Sequence, residues 1–192
     1  MVRRMALELG ADFETAARAL SGFKGIKRRL ERISTTSSPI IFDDFAHHPA
    51  EITASVTALR DSVPGRLVAI FEPQLHSRVN RLAEDFAQAL SMADMNFVLP
   101  VAALGEVLHG VDGNIALADA CVVAGLNCEH VSDFPDLMRR LKSDLRRDDT
   151  LVVMAGRTGE GIAQRLAEAL SDFGISVEQS AILYGEKTPP PP

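Results

Sequence analysis

A short stretch of the chain, residues 42–49 (Phe-Asp-Asp-Phe-Ala-His-His-Pro), combines carboxylates and imidazoles beside a proline. The apolar residues before it predict a buried strand, and Pro49 suits the first position of a helix, where no amide proton is needed. Asp44, Phe45 and His47 are therefore expected at the carboxyl end of a strand, where open α/β sheets bind their ligands. Side chains of these types can accept hydrogen bonds, titrate and ligate metal ions.

The same side chains also have structural interpretations. Asp44 could cap nearby amides as a turn carboxylate, and His48 could cap the helix that Pro49 begins. Adjacent histidines usually point apart, so a metal site built on His47 and His48 is disfavoured. The sequence therefore predicts no metal site in this stretch.

Two further loops follow predicted strands. The turn 156–161 (Gly-Arg-Thr-Gly-Glu-Gly) opens a helix and could offer amides to an anion, although turn geometry alone explains its glycines equally well. It matches neither the Gly-x-x-x-x-Gly-Lys-Ser/Thr phosphate loop nor the dinucleotide fingerprint. The loop 102–113 follows the third parallel strand and is a candidate flap over a substrate, while its Asp112 suits the cap of the next helix.

From residue 39 onward, strand-like and helix-like segments alternate, which is typical of a parallel sheet covered by helices on both faces. Val79, Phe86 and Leu90 repeat at helical spacing and are interpreted as core. The predicted strands lie near 39–45, 66–73, 95–101, 128–132 and 150–155, and the predicted helices lie near 49–62, 77–92, 113–125, 134–147 and 159–172.

Residues 1–23 have a different pattern, because they predict two short helices split by Gly10, the second of them capped by Asp12. The fold class is therefore α/β and Rossmann-like, with a mostly parallel sheet of five to six strands, helices on both faces and two short helices in front. The proline-rich end, residues 186–192, is predicted to be disordered.

Composition limits the function further. The chain has 192 residues, of which 46% are hydrophobic and 24% charged, enough for one sizeable core. A net charge of −6 argues against a nucleic-acid surface, and the basic cluster from Lys24 to Arg29 is interpreted as a solvated face. Cys121 and Cys128 are too few and too oddly spaced for a metal knuckle. No signal peptide or membrane-spanning run is found, so a reduced cytoplasm is the expected location.

Three motifs together resemble the C-terminal part of the Mur ligases in order and spacing. They are Lys27-Arg28-Arg29-Leu30-Glu31, Asp43-Asp44-Phe45-Ala46-His47-His48-Pro49 and Glu72-Pro73-Gln74-Leu75-His76-Ser77-Arg78. The resemblance extends to about residue 172 and implies an added antiparallel strand near Arg29 to Ile33. It also implies that residues 1–25 are the closing helices of the central ATP-binding domain and that residues 26–185 form the C-terminal domain.

The resemblance also assigns roles to individual residues. Asp44 and Phe45 match positions that face the nucleotide, and His47 matches a position near both nucleotide and substrate. Arg78 matches an arginine that binds the carboxylate of the incoming amino acid, a task suited to a guanidinium. His76 and Gly156 are expected on the substrate side of the same cleft. Departures are the imidazole at 76, where many relatives have an aromatic, and Gln74, which replaces a frequent histidine.

The function implied by the resemblance is that of a domain in an ATP-dependent ligase. The parent enzyme would join L-alanine, or the tripeptide L-alanyl-γ-D-glutamyl-meso-diaminopimelate, to UDP-N-acetylmuramate. ATP and magnesium would be bound mostly by the central domain, so the 192 residues alone are expected to be inactive. The partners would be these substrates and the central and N-terminal domains, with no nucleic acid and no membrane.

Two alternatives remain open at this stage. The first is a stand-alone, non-catalytic α/β module that binds a nucleotide or a peptide, and it is favoured by the lack of a phosphate loop. Such a module should bury its first two helices, whereas a domain of a larger ligase should leave their apolar side exposed. The second, a small redox or signalling domain of flavodoxin-like shape, has no clear signature.

Overall fold

A computed structural model describes the fold of the chain over residues 4–5, 8–10, 12–23, 25–34, 39–63, 65–146, 148–159 and 161–171. The tail predicted to be disordered, residues 186–192, lies outside the described residues, as do Lys24 and Glu160. None of the helices in the described part is long and apolar enough to cross a membrane.

Strands and helices alternate along most of the described chain, as the sequence predicts. The strands are β1 Glu31–Arg32, β2 Ile40–Asp44, β3 Leu67–Glu72, β4 Met95–Val98, β5 Cys128–His130 and β6 Thr150–Ala155. The helices are α1 Phe13–Ser21, α2 Pro49–Arg60, α3 His76–Leu90, α4 Gly113–Val123, α5 Phe134–Asp144 and α6 Ile162–Leu170, with a 3₁₀ turn at Arg157–Gly159.

Within the described ranges, six strands form one sheet in the order β1-β2-β6-β3-β4-β5. All neighbours are parallel except β1, which pairs antiparallel with β2. The predicted fold class and the predicted antiparallel addition are therefore confirmed. Because β6 lies between β2 and β3, the loops that follow these three strands meet at one edge of the sheet. This is the kind of position where the strand order reverses and ligands bind.

Two apolar layers cover the faces of the sheet. One contains Ile52 of α2, Phe86 of α3 and Leu117 of α4, and the other contains Leu137 of α5 and Leu166 of α6. All five side chains are fully buried, so the helical apolar repeats are core as predicted. The two layers fix the sheet, and with it the positions of the loops at its carboxyl edge.

The segment before the sheet has a different character. Asp12 caps α1, because its side chain accepts a hydrogen bond from the Thr15 amide at 2.9 Å, as predicted. Gly10 has a left-handed φ of 85°, which suits glycine at the break before this helix. Leu9, Leu20 and Phe23 nevertheless remain 85%, 40% and 63% exposed. The apolar side of this segment is therefore not covered by the sheet domain.

Candidate functional site

The candidate site is formed where β2, β6 and β3 end together. Asp44 pairs with Met154, and Glu72 pairs with Ala155, so the three strands finish at nearly the same level. The sheet thus brings the loops after residues 44, 72 and 155 side by side, as the motifs predicted. The turn after β6, which begins at Gly156, lies between the other two loops.

Asp44 is buried, and its carboxylate accepts three hydrogen bonds from neighbouring groups of the chain. Its Oδ1 accepts a hydrogen bond from the Ala46 amide at 2.8 Å, and its Oδ2 accepts from the Leu30 amide at 3.1 Å and the Ser55 hydroxyl at 2.9 Å. The structure therefore gives Asp44 the turn-capping role that was one of its two interpretations. Contact with a nucleotide stays a prediction. A cleft of about 330 Å³ lies beside Asp44 and is also lined by Arg29, Leu30, Glu51, Ala54 and Ser55.

Phe45 and His47 form a half-buried aromatic pair at this edge. Their rings meet edge to face at 5.2 Å, and the His47 Nδ1 lies 2.9 Å from the carbonyl oxygen of Phe45. The guanidinium carbons of Arg28 and Arg29 lie 5.0 and 5.5 Å from the centre of the Phe45 ring. Phe45 is therefore a flat ring flanked by two cations, an arrangement that favours cation–π attraction.

Glu51 fixes the loop that carries the histidines. Its carboxylate accepts hydrogen bonds from the amides of His47 at 3.0 Å and His48 at 3.2 Å, at the start of α2. Partial burial opposes ionisation, but these two amides and the charge of His47 together lower the pKa of Glu51. The His48 backbone thus begins α2 as predicted, and the carboxylate at N3 supplies the cap.

Arg28 joins the loop after β6 to the rest of the site. Its Nη2 donates hydrogen bonds to the carbonyl oxygens of Ala155 at 2.8 Å and Gly156 at 2.9 Å. Its Nε lies 3.4 Å from Oδ2 of buried Asp43, an ion-pair contact that lacks hydrogen-bond geometry. Burial raises the pKa of Asp43, and Arg28 only partly opposes this. The sequence interpretation of Lys24 to Arg29 as a solvated face is therefore wrong for Arg28, whose side chain is only 15% exposed and contacts Asp43 and these two carbonyls.

A chain of hydrogen bonds connects β3 to the glycine-rich turn. The Thr158 hydroxyl donates to Oε2 of Glu72 at 2.6 Å, and Nε2 of Gln74 donates to the Thr158 hydroxyl at 3.0 Å. Burial raises the pKa of Glu72, and the Thr158 hydrogen bond and the charge of Arg28 oppose it only in part. A Cβ at Gly156 would lie 2.1 Å from Nε2 of Gln74. Close packing therefore explains Gly156, and its role toward substrate stays a prediction.

His76 opens α3 and contacts the loop 102–113. Its Nδ1 accepts a hydrogen bond from the Gly113 amide at 3.1 Å and lies 3.3 Å from Oδ1 of Asp112. Leu75 before it has a left-handed φ of 63°, an unusual conformation for leucine that turns the chain into the helix. The structure thus places His76 at the junction of β3, α3 and the loop.

The loop 102–113 is tied to α3 at several points. The Ser77 amide donates to both carboxylate oxygens of Glu106, at 3.2 and 3.3 Å, and the Asn80 side chain donates to the Val111 carbonyl at 2.6 Å. Hydrogen bonding from Ser77 lowers the pKa of Glu106. Asp112 accepts a hydrogen bond from the Asn114 amide at 2.8 Å and caps α4 as predicted. Closure of this loop over a substrate stays a prediction.

Arg78 lies in the first turn of α3 and is half-buried. Among the described residues, its Nη1 atom is buried and has no hydrogen-bond partner. An unpaired buried guanidinium nitrogen is costly, so the arrangement favours a ligand that supplies an acceptor. A carboxylate fits this requirement best, because its two oxygens match the donors of a guanidinium.

Comparison with known proteins identifies the family of the chain. The model of the family described as "Mur ligase, glutamate ligase domain" matches residues 28–157. The chain belongs to the Mur ligase family. This match includes every one of the predicted site residues, from Asp44 to Gly156.

Individual members of the family are similar over most of the chain. A UDP-N-acetylmuramate–L-alanine ligase of Mycobacterium sp. (strain JLS) is 38% identical over 154 residues, which span 78% of this chain and 31% of that protein. This Mur ligase chain therefore spans about a third of the length of the curated relatives it matches.

Solved Mur ligase structures share the fold. A murein peptide ligase from Psychrobacter arcticus 273-4 is 27% identical, with a TM-score of 0.63, over 91% of this chain and 36% of its own. The UDP-N-acetylmuramate–alanine ligase MurC from Thermotoga maritima is 20% identical, with a TM-score of 0.70, over 89% of this chain and 36% of its own. The latter likeness concerns the fold alone.

Proposed function

We propose that this chain is the C-terminal domain of an ATP-dependent Mur ligase that joins an amine substrate to UDP-N-acetylmuramate. The amine is L-alanine or L-alanyl-γ-D-glutamyl-meso-diaminopimelate, and the parent enzyme acts in the cytoplasm. In this proposal residues 26–185 are the domain itself, and residues 1–25 are the last helices of the central domain. The similarity to an alanine ligase over 78% of the chain supports the first amine, and that to a murein peptide ligase over 91% supports the second.

The observation that carries the proposal is the buried Nη1 atom of Arg78, in the first turn of α3, which has no hydrogen-bond partner among the described residues. Both candidate amines carry a carboxylate, which a half-buried arginine can bind through charge-assisted hydrogen bonds. His76 lies two residues before it, and Gly113 holds the His76 ring. The carboxylate bound at Arg78 would orient the amino group of the substrate for attack.

ATP and magnesium fit this chain only as one wall of their site. Phe45 offers a flat ring between Arg28 and Arg29, which suits a purine base and nearby phosphates. The 192 residues contain no Gly-x-x-x-x-Gly-Lys-Ser/Thr loop to hold the phosphates. In our proposal the central domain therefore supplies the phosphate and magnesium ligands, and ATP supplies the energy for amide formation when bound there.

The exposed N-terminal segment supports a domain of a larger protein over a stand-alone module. Leu9 is 85% exposed and Phe23 is 63% exposed, although a free-standing module should bury such side chains. Both lie in the segment that we assign to the central domain. Contact with the rest of that domain would cover them.

The proposal is tested on the parent enzyme with variants of Arg78. We expect Arg78→Ala to raise the KM of the amine substrate roughly 10- to 100-fold, because a hydrogen bond to a charged group is lost. The KM of ATP should stay within about twofold, and Arg78→Lys should recover part of the loss because it restores the charge without the paired donors. Ligation assays with L-alanine and with the tripeptide give both values and identify the amine.

The matched control is Arg81→Ala, an exposed arginine one turn further along α3. It should change neither KM. An unchanged amine KM in Arg78→Ala would contradict the assignment of Arg78. Phosphate release measures hydrolysis of magnesium-ATP by the 192 residues alone. Hydrolysis in that assay would contradict the assignment of the chain as a dependent domain.

A further inference from the structure

A second cluster of reactive side chains lies away from the candidate site. Cys121 is on α4, while Cys128 and His130 begin and end β5. The thiol sulfurs and one imidazole nitrogen all lie within 4.8 Å of one another. Residues two apart in a strand point to the same face, so β5 presents Cys128 and His130 together toward the helix that carries Cys121. The fold thus joins residues whose spacing, Cys-x₆-Cys-x-His, does not resemble a metal motif.

One possible ligand atom of the cluster has no partner. Both cysteines are free thiols, and the Nε2 atom of His130 is buried without a hydrogen-bond partner among the described residues. A buried imidazole nitrogen without a partner is unusual and calls for an explanation. A bound cation would explain it by serving as the partner of this nitrogen. A neutral imidazole nitrogen and two thiolates are favourable ligands for a borderline-soft metal.

We propose that Cys121, Cys128 and His130 form a three-ligand site for a divalent cation of the Zn²⁺ class. A tetrahedral zinc ion with bonds of roughly 2.0–2.3 Å holds its ligand atoms roughly 3.5–3.8 Å apart. The observed upper limit of 4.8 Å thus requires a closure of only about 1 Å. Three protein ligands leave the fourth position to water or another small ligand.

The three side chains supply the ligand types that a divalent cation of this class needs. Only the thiolate form of cysteine binds zinc, so binding would release the protons of both thiols. Glu129 points to the other face of β5, where it pairs with Arg140 at 3.1 Å, and is not needed as a ligand.

An ion at this position would connect α4 to the edge strand β5. The start of α4 carries the Gly113 amide that holds His76, so the ion would stabilise the helix on which the candidate site rests. A cation that binds only the folded chain raises its stability with concentration. The expected role is structural, since the cluster lies on a different part of α4 from the His76 contact.

The experiment uses the whole 192-residue chain, reduced and freed of metal with a chelator. Titration with Co²⁺ should give a thiolate-to-cobalt charge-transfer band that saturates at one equivalent, and Zn²⁺ should displace it. Zn²⁺ should also raise the Tm and slow alkylation of both cysteines. His130→Asn, Cys121→Ser and Cys128→Ser should each lose the saturating band, while His109→Asn, an exposed histidine elsewhere, should keep it.

Several outcomes would overturn the proposal. They are a wild-type chain with no saturating cobalt band, a band of equal strength in His130→Asn, and a Zn²⁺-dependent rise in Tm that persists in that variant. Air oxidation to a Cys121–Cys128 disulfide that Zn²⁺ does not slow would point to a redox pair instead. Because Cys121 lies in the apolar core and its variant could unfold, His130→Asn, at a half-exposed position, is the deciding variant.

Discussion

Gly156 illustrates how a single residue controls the centre of the candidate site. Its position against Gln74 leaves no room for a side chain, since an added Cβ would lie 2.1 Å from Nε2 and 2.4 Å from Cδ of that residue. Gln74 is itself buried and donates to Thr158, so a shift of its amide away from residue 156 would strain this hydrogen bond. The glycine therefore allows the turn after β6 to approach β3.

We expect Gly156→Ala to lower the free energy of unfolding by about 1–3 kcal/mol through overpacking. Removing the clash with Gln74→Ala should recover much of this loss, so the two effects should not add. Urea denaturation of both single variants and the double variant measures the coupling. Gly22→Ala is the control, because a Cβ added at Gly22 would lie 3.7 Å from the nearest atoms, which is ordinary van der Waals contact. Additive effects at 74 and 156 would contradict the steric explanation.

Glu72 gives a prediction about pH. Its pKa in the folded chain is raised above the ordinary value of 4.5 by burial, so ionisation is disfavoured by folding. The contribution of such a group to the free energy of unfolding is fully present below pH 4.5. It is lost as the pH rises through the pKa of the folded state. The free energy of unfolding of the wild type, minus that of Glu72→Gln, should therefore decrease as the pH increases.

Urea unfolding across a pH series measures this difference directly. Glutamine keeps an oxygen that can accept the Thr158 hydrogen bond, so the variant changes mainly the titration. Glu84→Gln, at an exposed position of α3, serves as the control for the same substitution away from the site. A difference that rises with pH for Glu72 would show that the folded chain favours the carboxylate.

The candidate site could be predicted from sequence only in part. Asp44, His76 and Arg78 follow strands in recognisable motifs, and the structure does bring their loops together. The links made by Arg28 and Thr158 span 128 and 86 residues, and no local pattern indicates such partners. The cluster of Cys121, Cys128 and His130 was missed for the same reason. Counting cysteines does not reveal a histidine that only the folded sheet brings close to them.

At the scale of elements, the amino edge of the sheet is held by Arg66, which pairs with buried Asp149 and with half-exposed Asp144. Arg66, just before β3, donates to both oxygens of Asp149, at 2.9 and 2.8 Å, and Asp149 also accepts from the Arg146 amide at 2.8 Å. The hydrogen bonds with Asp149 raise the pKa of Arg66 further above its usual value. This contact connects the starts of β3 and β6 with the end of α5.

We expect Asp149→Ala to lower the free energy of unfolding by about 1–3 kcal/mol, because Arg66 loses its buried partner but keeps Oδ2 of Asp144 at 2.6 Å. Thermal and urea denaturation measure the loss. The neighbouring exposed residue gives a matched control, since Asp148→Ala should stay within about 0.5 kcal/mol of the wild type. Equal effects at the two positions would contradict the importance of the ion pair.

Element types were easier to predict than element order. Apolar spacing identified α2 to α6 and β2 to β6 because periodicity reports directly which face of an element is buried. The predicted bounds of β6 are confirmed, whereas β2 to β5 are shorter than predicted, and β4 ends at Val98 where the prediction extended to residue 101. Periodicity does not report neighbours, so the insertion of β6 between β2 and β3 needed the structure.

At the scale of the whole molecule, the segment before the sheet resembles half of an interface. Leu9 and Phe23 are mostly exposed, and Ala16 is the one buried residue of α1 among those described. Exposed apolar groups of this kind usually have a partner surface. If residues 1–25 close the central domain, the partner surface belongs to the parent enzyme.

This assignment predicts that the same substitutions behave differently in two contexts. In the 192-residue chain, the double variant Leu9→Gln and Phe23→Gln should change the free energy of unfolding by no more than about 0.5 kcal/mol, because both side chains are exposed. In the parent enzyme both would be buried in the central domain, and the variant should lose about 3–5 kcal/mol together with ligase activity. Ile52→Ala, buried in the core of the sheet domain, should destabilise both proteins similarly.

The comparison of contexts separates the two interpretations of the chain. A stand-alone module has no covering domain, so the double variant would then be silent in every context while Ile52→Ala still destabilises. A large loss confined to the parent would show that the segment belongs to its central domain.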